Sequence, residues 1–165
     1  MTELTLFEAM NQLGEQTADT VARSIIHDCG PGISPATIRQ LQSEMVEKAK
    51  EQGLPMRPTV VEHLFAEGQY ARKYAMPAGQ LAVTKTHKKK HFIMVLGDCT
   101  IWTEGAQKRL TGFHFFITHP GTKRVIIAHA DTLFITVHST ELTDLDAIEA
   151  EMIEPEEDIF EELKP

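Results

Sequence analysis

His87 and His91 stand four residues apart in the run GQLAVTKTHKKKHFIMVLG, from Gly79 to Gly97, between two apolar, strand-like stretches. A second run of similar character passes through His119-Pro120-Gly121 and Arg124 to His129, and His138 follows on a last apolar stretch. Neutral imidazole suits Zn, Fe, Mn and Ni, and a reactive metal site takes about three protein ligands with one position open. His87 and His91 are therefore candidate metal ligands, to be completed by His129 or His138. Lys85 and Arg124 lie in the same runs. The guanidinium offers a planar fork for carboxylate or phosphate, and the ammonium adds a point charge. The same residue types thus make Lys85, His87, His91 and Arg124 a candidate pocket for a small anionic ligand. Cations repel a divalent ion, so any metal held here is expected to bind weakly.

These residues must be positioned by the elements around them. Thr5 and Glu8 form a capping box, and Leu6, Met10, Leu13, Val21, Ile25 and Ile26 recur at helical spacing. Cys29-Gly30-Pro31-Gly32 breaks that helix. Ser34-Pro35 starts a second, with Ile38, Leu41, Met45 and Ala49 on one face and Gly53 at its end. Pro55 and Pro58 close a helical extension over residues 1–58. From Val60 the pattern turns to short stretches rich in Val, Ile, Thr and Phe, predicting strands over 60–65, 69–75, 80–86, 91–96, 99–103, 113–118, 123–129 and 132–138. Turns are expected at Pro77-Ala78-Gly79, Gly97-Asp98, Glu104-Gly105 and Pro120-Gly121. Residues 59–140 are thus expected to be mainly β, a small barrel or sandwich, with Trp102, Phe113, Phe115, Phe116 and Phe134 in its core. Lys88-Lys89-Lys90 reads as a solvated turn. Residues 141–165 form an acidic helix and tail, capped by Thr143, with Ile148 and Met152 on one face.

The two histidine-bearing runs resemble the paired motifs of the cupin superfamily, specifically those of small single-domain phage-type cupin-like proteins. The first motif has a glycine, a His-x-His pair, a glutamate and a closing glycine. Here Gly79 opens, Lys85-Thr86-His87 stands at His-x-His, His91 at the glutamate, and Gly97 closes. In the second, Gly112 opens, His119-Pro120-Gly121 stands at the Pro-x-Gly turn, Arg124 replaces a histidine and Ala128 an asparagine. The resemblance covers about residues 60–140 and implies a cupin-like barrel, the double-stranded β-helix, with metal motifs that have lost most of their ligands. Strand alternation agrees with it: Lys85 and His87 share a face, as do Arg124, Ile126 and Ala128, whereas His129 points the other way. His129 joins the others only through a bulge, and nothing in the sequence decides which side His138 takes.

A chain of 165 residues is long enough for one domain with a real core. The net charge of −8 is unevenly spread: residues 141–165 hold 11 of the 24 acidic side chains and one basic residue, Lys164. Residues 1–140 are close to neutral, which argues against nucleic-acid binding. The second helix likewise has no basic face for DNA, which counts against a regulator built on N-terminal helices. No apolar run is long enough for a bilayer, the start MTELTLFEAMNQLGEQ is not a secretory signal, and Cys29 and Cys99 make no disulfide framework. A cytoplasmic protein is expected, in the host cell if phage-encoded. The reading that follows is a cupin-like binding or assembly module without intact catalysis, homodimeric, taking a small anion or a protein partner. A metal-dependent dioxygenase or isomerase using His87 and His91 is the alternative.

Overall fold

The computed structural model describes residues 34–51 and 61–155. The expected first helix, with Leu6 to Ile26, and the last ten residues of the acidic tail lie outside them. Helix α1 (Pro35–Glu51) begins where Ser34-Pro35 predicts, with Ser34 Oγ accepting a hydrogen bond from the Thr37 N–H at 3.1 Å. Its Ile38 and Leu41 are buried against Leu81, Trp102, Val125 and Ile127. No helix among the described residues is long and apolar enough to cross a membrane.

Seven strands follow: β1 (Val61–Ala66), β2 (Gln69–Met76), β3 (Leu81–Val83), β4 (His91–Thr103), β5 (Ala106–Thr118), β6 (Val125–Ala128) and β7 (Thr132–Ser139). All pairings between them are antiparallel. β4 organises them. One of its edges pairs with β5 along the full length of both strands. The other is divided: Phe92–Leu96 pair with β7, and Cys99–Trp102 pair with β6. One long hairpin therefore joins β1-β2-β7 on one side to β6-β3 on the other within a single seven-stranded sheet. The result is the mainly β, curled architecture that the sequence predicts.

The transfer between the two partners falls at Gly97-Asp98, where the sequence predicts a turn. The structure instead carries β4 straight through. Gly97 has φ 147°, and a Cβ there would lie 2.5 Å from Thr132 Oγ1 and 2.7 Å from Thr132 Cα. Glycine is required because β7 begins against this point, not because the chain reverses.

Inside the curl of this sheet lie Met76, Ile93, Val95, Cys99, Ile101, Leu110, Ile126, Ala128 and Phe134. β6 is buried on both faces, with Ile126 and Ala128 inward and Val125 and Ile127 under α1. Trp102 and Phe134 are core residues as expected, but Phe113 and Phe115 are 65% and 56% exposed. Phe115 and Phe116 are consecutive, and a pleated strand places neighbours on opposite faces. Phe116 takes the inner side. Phe113, Phe115 and Ile117 therefore stand outward, opposite Leu96, Met94 and Phe92 of β4.

Helix α2 (Leu145–Met152) is capped by Asp144, whose carboxylate accepts from the Ala147 N–H at 2.9 Å, one residue later than the expected Thr143. A charged acceptor at a helix N-terminus also gains from the helix dipole. Ile148 and Met152 are buried against Tyr70, as their spacing predicts.

Gly97→Ala should lower unfolding stability by about 2–3 kcal/mol, from backbone strain and overpacking against Thr132. Gly112→Ala, also at positive φ but with open space around it, should cost about 1 kcal/mol. Urea denaturation compares the two, and equal losses would contradict the close approach at Gly97.

Candidate metal centre

Three elements bring histidines to one end of the barrel. His91 opens β4 and points inward with Ile93 and Val95, all three buried. His138 lies on β7, where Thr132, Phe134, Thr136 and His138 alternate toward the same interior. The β4–β7 register, Ile93 opposite Thr136, sets His138 near His91. His87 comes from the loop before β4 and is held by an isolated bridge to Ile153, just beyond α2.

The rings pack against one another, with centroids 4.2 Å apart for His87–His91, 4.4 Å for His91–His138 and 5.1 Å for His87–His138. Among the described residues these three form a ligand group, one nitrogen from each within 4.8 Å of the others. Nitrogens sharing one ion at ~2.0–2.1 Å stand at most ~4.2 Å apart, so the three rings must draw together to hold it. The donor chemistry also fits. Burial first, then neighbouring positive charge, lowers the pKa of His87 to about 3 and that of His138 to about 4. His91 is lowered too, mainly by burial. All three are neutral at pH 7, the form that ligates. His91 Nδ1 lies 3.2 Å from the Lys89 carbonyl oxygen and donates to it as the neutral ring, leaving Nε2 as the ligand atom. His87 Nδ1 is buried with no hydrogen-bond partner.

The other candidates divide. Arg124 is buried, 9% exposed, and donates from Nη2 to Thr118 Oγ1 at 3.1 Å. Its charge acts on both His87 and His91. Lys85 does not join them: it is exposed and ion-paired with Glu149 of α2. His129 Nε2 is 2.7 Å from Thr100 Oγ1, so the bulge that would bring it to the cluster is absent and His138 takes the third place. The lysine run is not a free turn either. Lys89 pairs with Glu151 at 2.5 Å, and Lys88 Nζ donates to the Ala150 carbonyl at 2.7 Å. Together with Lys88 N–H to Met152 O and Glu154 N–H to Thr86 O, these contacts fasten the C-terminal segment beside His87.

Sequence reading missed three contributors. Arg72 on β2 acts electrostatically on His87 and His138. Tyr70, two residues earlier on the same face, stacks on His138 at 6.0 Å, and its hydroxyl lies 2.7 Å from His63 Nδ1. Thr136 faces Arg72 across the β2–β7 pairing. Alternation groups Tyr70 with Arg72, but only the β2–β7 register places them beside His138.

The two motif runs thus lie on strands of one curled antiparallel barrel, with His87, His91 and Arg124 turned to its interior. The fold is a mainly β, curled antiparallel sheet. Similar solved structures include a cupin 2 domain-containing protein from Halorhodospira halophila, at 15% identity and TM-score 0.45 over 62% of this chain and 73% of that one. A cupin protein from Bacteroides fragilis shows 20% identity and TM-score 0.41 over 54% of this chain and 85% of that one. A cupin-2 domain containing protein from Shewanella frigidimarina shows 8% identity and TM-score 0.42 over 61% and 99%. No protein-family model and no curated protein matches the chain. Likeness at this level leaves the chemistry of the cupin-like site to be read from this chain's own residues.

Proposed function

We propose that this protein is a cupin-like binding module whose barrel holds a divalent transition metal on His87, His91 and His138. The observation that carries this reading is the convergence of three neutral imidazoles, one with an orphaned ring nitrogen, in a buried position. A divalent ion would supply a Lewis-acidic centre with coordination positions left for a small ligand. The chain's own residues do the rest. His91 is oriented by the Lys89 carbonyl, Tyr70 flanks His138, and the α2 segment shields the mouth beside His87. Of the two rings that could complete the set, His138 rather than His129 lies beside His87 and His91.

Zinc, manganese, iron and nickel should each be titrated calorimetrically into tag-free protein. His91→Ala and His138→Ala are expected to weaken binding at least about tenfold, with one ion per chain in the unmodified protein. His129→Ala should leave affinity unchanged, because that ring is engaged with Thr100. Full affinity in His138→Ala would place the ion elsewhere.

We also propose a second copy of this chain as the occupant of the outer face of β4 and β5. Phe92, Leu96, Phe113, Phe115 and Ile117 are 46–65% exposed there, and Phe92 stacks on Phe115 at 5.3 Å. These five side chains present roughly 500 Å² of apolar surface, so a twofold pairing buries about 1,000 Å², the lower bound for a stable interface. Among the described residues β5 pairs only with β4 and leaves an edge beside the same patch, which an identical strand can meet antiparallel. Light scattering at tens of micromolar should report a dimer, and Phe113→Lys with Phe115→Lys a folded monomer. A monomer before substitution would overturn the pairing.

A further inference from the structure

The histidine cluster is flanked by cations that have no counter-charge among the described residues. Arg124 is nine-tenths buried, and its guanidinium makes one side-chain hydrogen bond, to the neutral Thr118 hydroxyl. Arg72 lies on the inner face of β2 with Tyr70, directly opposite Thr136 in the β2–β7 register. No carboxylate among the described residues forms an ion pair with either arginine. The acidic groups nearest the mouth are already engaged, Glu149 with Lys85 and Glu151 with Lys89. Nor does the metal-ligand group include a carboxylate, since all three members are histidines.

Two polar atoms in the same region are also unsatisfied. His87 Nδ1 and Thr136 Oγ1 are both buried without a hydrogen-bond partner. Thr136 alternates inward with Phe134 and His138 and sits across from Ile93, so its hydroxyl and Arg72 approach the histidines from the β2–β7 side. Arg124, immediately before β6, acts electrostatically on His87 and His91. Buried cations and orphaned donors are costly unless a partner answers them. One group answers both arginines and Thr136: an oxyanion, which accepts from both guanidinium forks and from the threonine hydroxyl, while the His87 nitrogen is left to the metal.

We infer that the pocket between Arg72, Arg124 and Thr136 binds a small organic carboxylate beside the three histidines. The inference deepens the metal reading by naming the class of ligand that shares its site, and it rests on the same pocket. A carboxylate is favoured over phosphate by what adjoins the cations. Ile93 stands between His91 and Val95 on β4, and the apolar interior of Val95, Phe134 and Met76 continues behind it. The apolar body of a short acid is chemically matched to that surface, whereas phosphate presents polar oxygens on every side. The carboxylate also offsets the positive charge that an ion on the histidines would add to two arginines. Lys85, the cation that motif spacing suggested, is replaced in this role by Arg72.

The test uses the full chain stripped of metal with EDTA, titrated calorimetrically with butyrate, with neutral butyramide and with inorganic phosphate. Butyrate should bind with one site per chain, and butyramide at least tenfold more weakly. Arg124→Gln and Arg72→Gln should each weaken butyrate at least tenfold. Arg124→Lys, which keeps charge and bulk while removing the fork, should weaken it measurably if the glutamine variant fails to fold. Equal binding of butyrate and butyramide would overturn the inference, as would phosphate binding with butyrate silent. Metal-free protein separates the two readings. Butyrate binding without any metal affinity would defeat the metal centre alone, and metal binding on the histidines without butyrate binding would defeat the carboxylate alone.

Discussion

Three imidazoles packed ring against ring inside a barrel must stay uncharged, and much of the site's architecture serves that condition. Each protonation would place a cation 4.2–5.1 Å from two other rings and near one or both arginines, in a largely buried place. The neutral state makes the three rings ligands. It also leaves them without the carboxylate partners that buried histidines often take. The same arrangement explains why the arginines matter: they help keep the rings neutral and make the pocket receptive to negative charge.

Keeping the rings buried depends on a segment distant in sequence. The α2 region packs Ile148 and Met152 over Tyr70, bridges Ile153 to His87 and meets the lysine-rich loop with Glu149 and Glu151. The exposed ion pairs are individually weak. The apolar contacts and backbone bonds carry more of the attachment, and the charges choose which acidic residues face which lysines. The acidic C-terminal part of the chain is thus partly a structural complement to the most basic loop of the barrel.

His87, His91 and Arg124 were legible because motif spacing and strand alternation agree on their face. The α1 start was legible because Ser34-Pro35 is local chemistry. What failed to show was long-range. The side taken by His138 depends on β7 pairing with β4 in one register, and the role of Lys85 depends on a glutamate 64 residues away. Gly97-Asp98 has the composition of a turn, yet the glycine serves a close approach by Thr132 within a continuous strand. Phe113 and Phe115 have strand spacing suited to a core, but spacing alone does not say which face of β5 is inside.

The most direct test of this account is an imidazole nitrogen NMR titration of metal-free, folded protein between about pH 7.5 and 5, spanning the ordinary histidine value. Burial and neighbouring positive charge place the titrations of His87 at about 3 and His138 at about 4. Both rings are therefore predicted to keep neutral-imidazole shifts throughout that range. A midpoint near 6.5 for either ring, the ordinary histidine value, would contradict a closed, neutral three-histidine site.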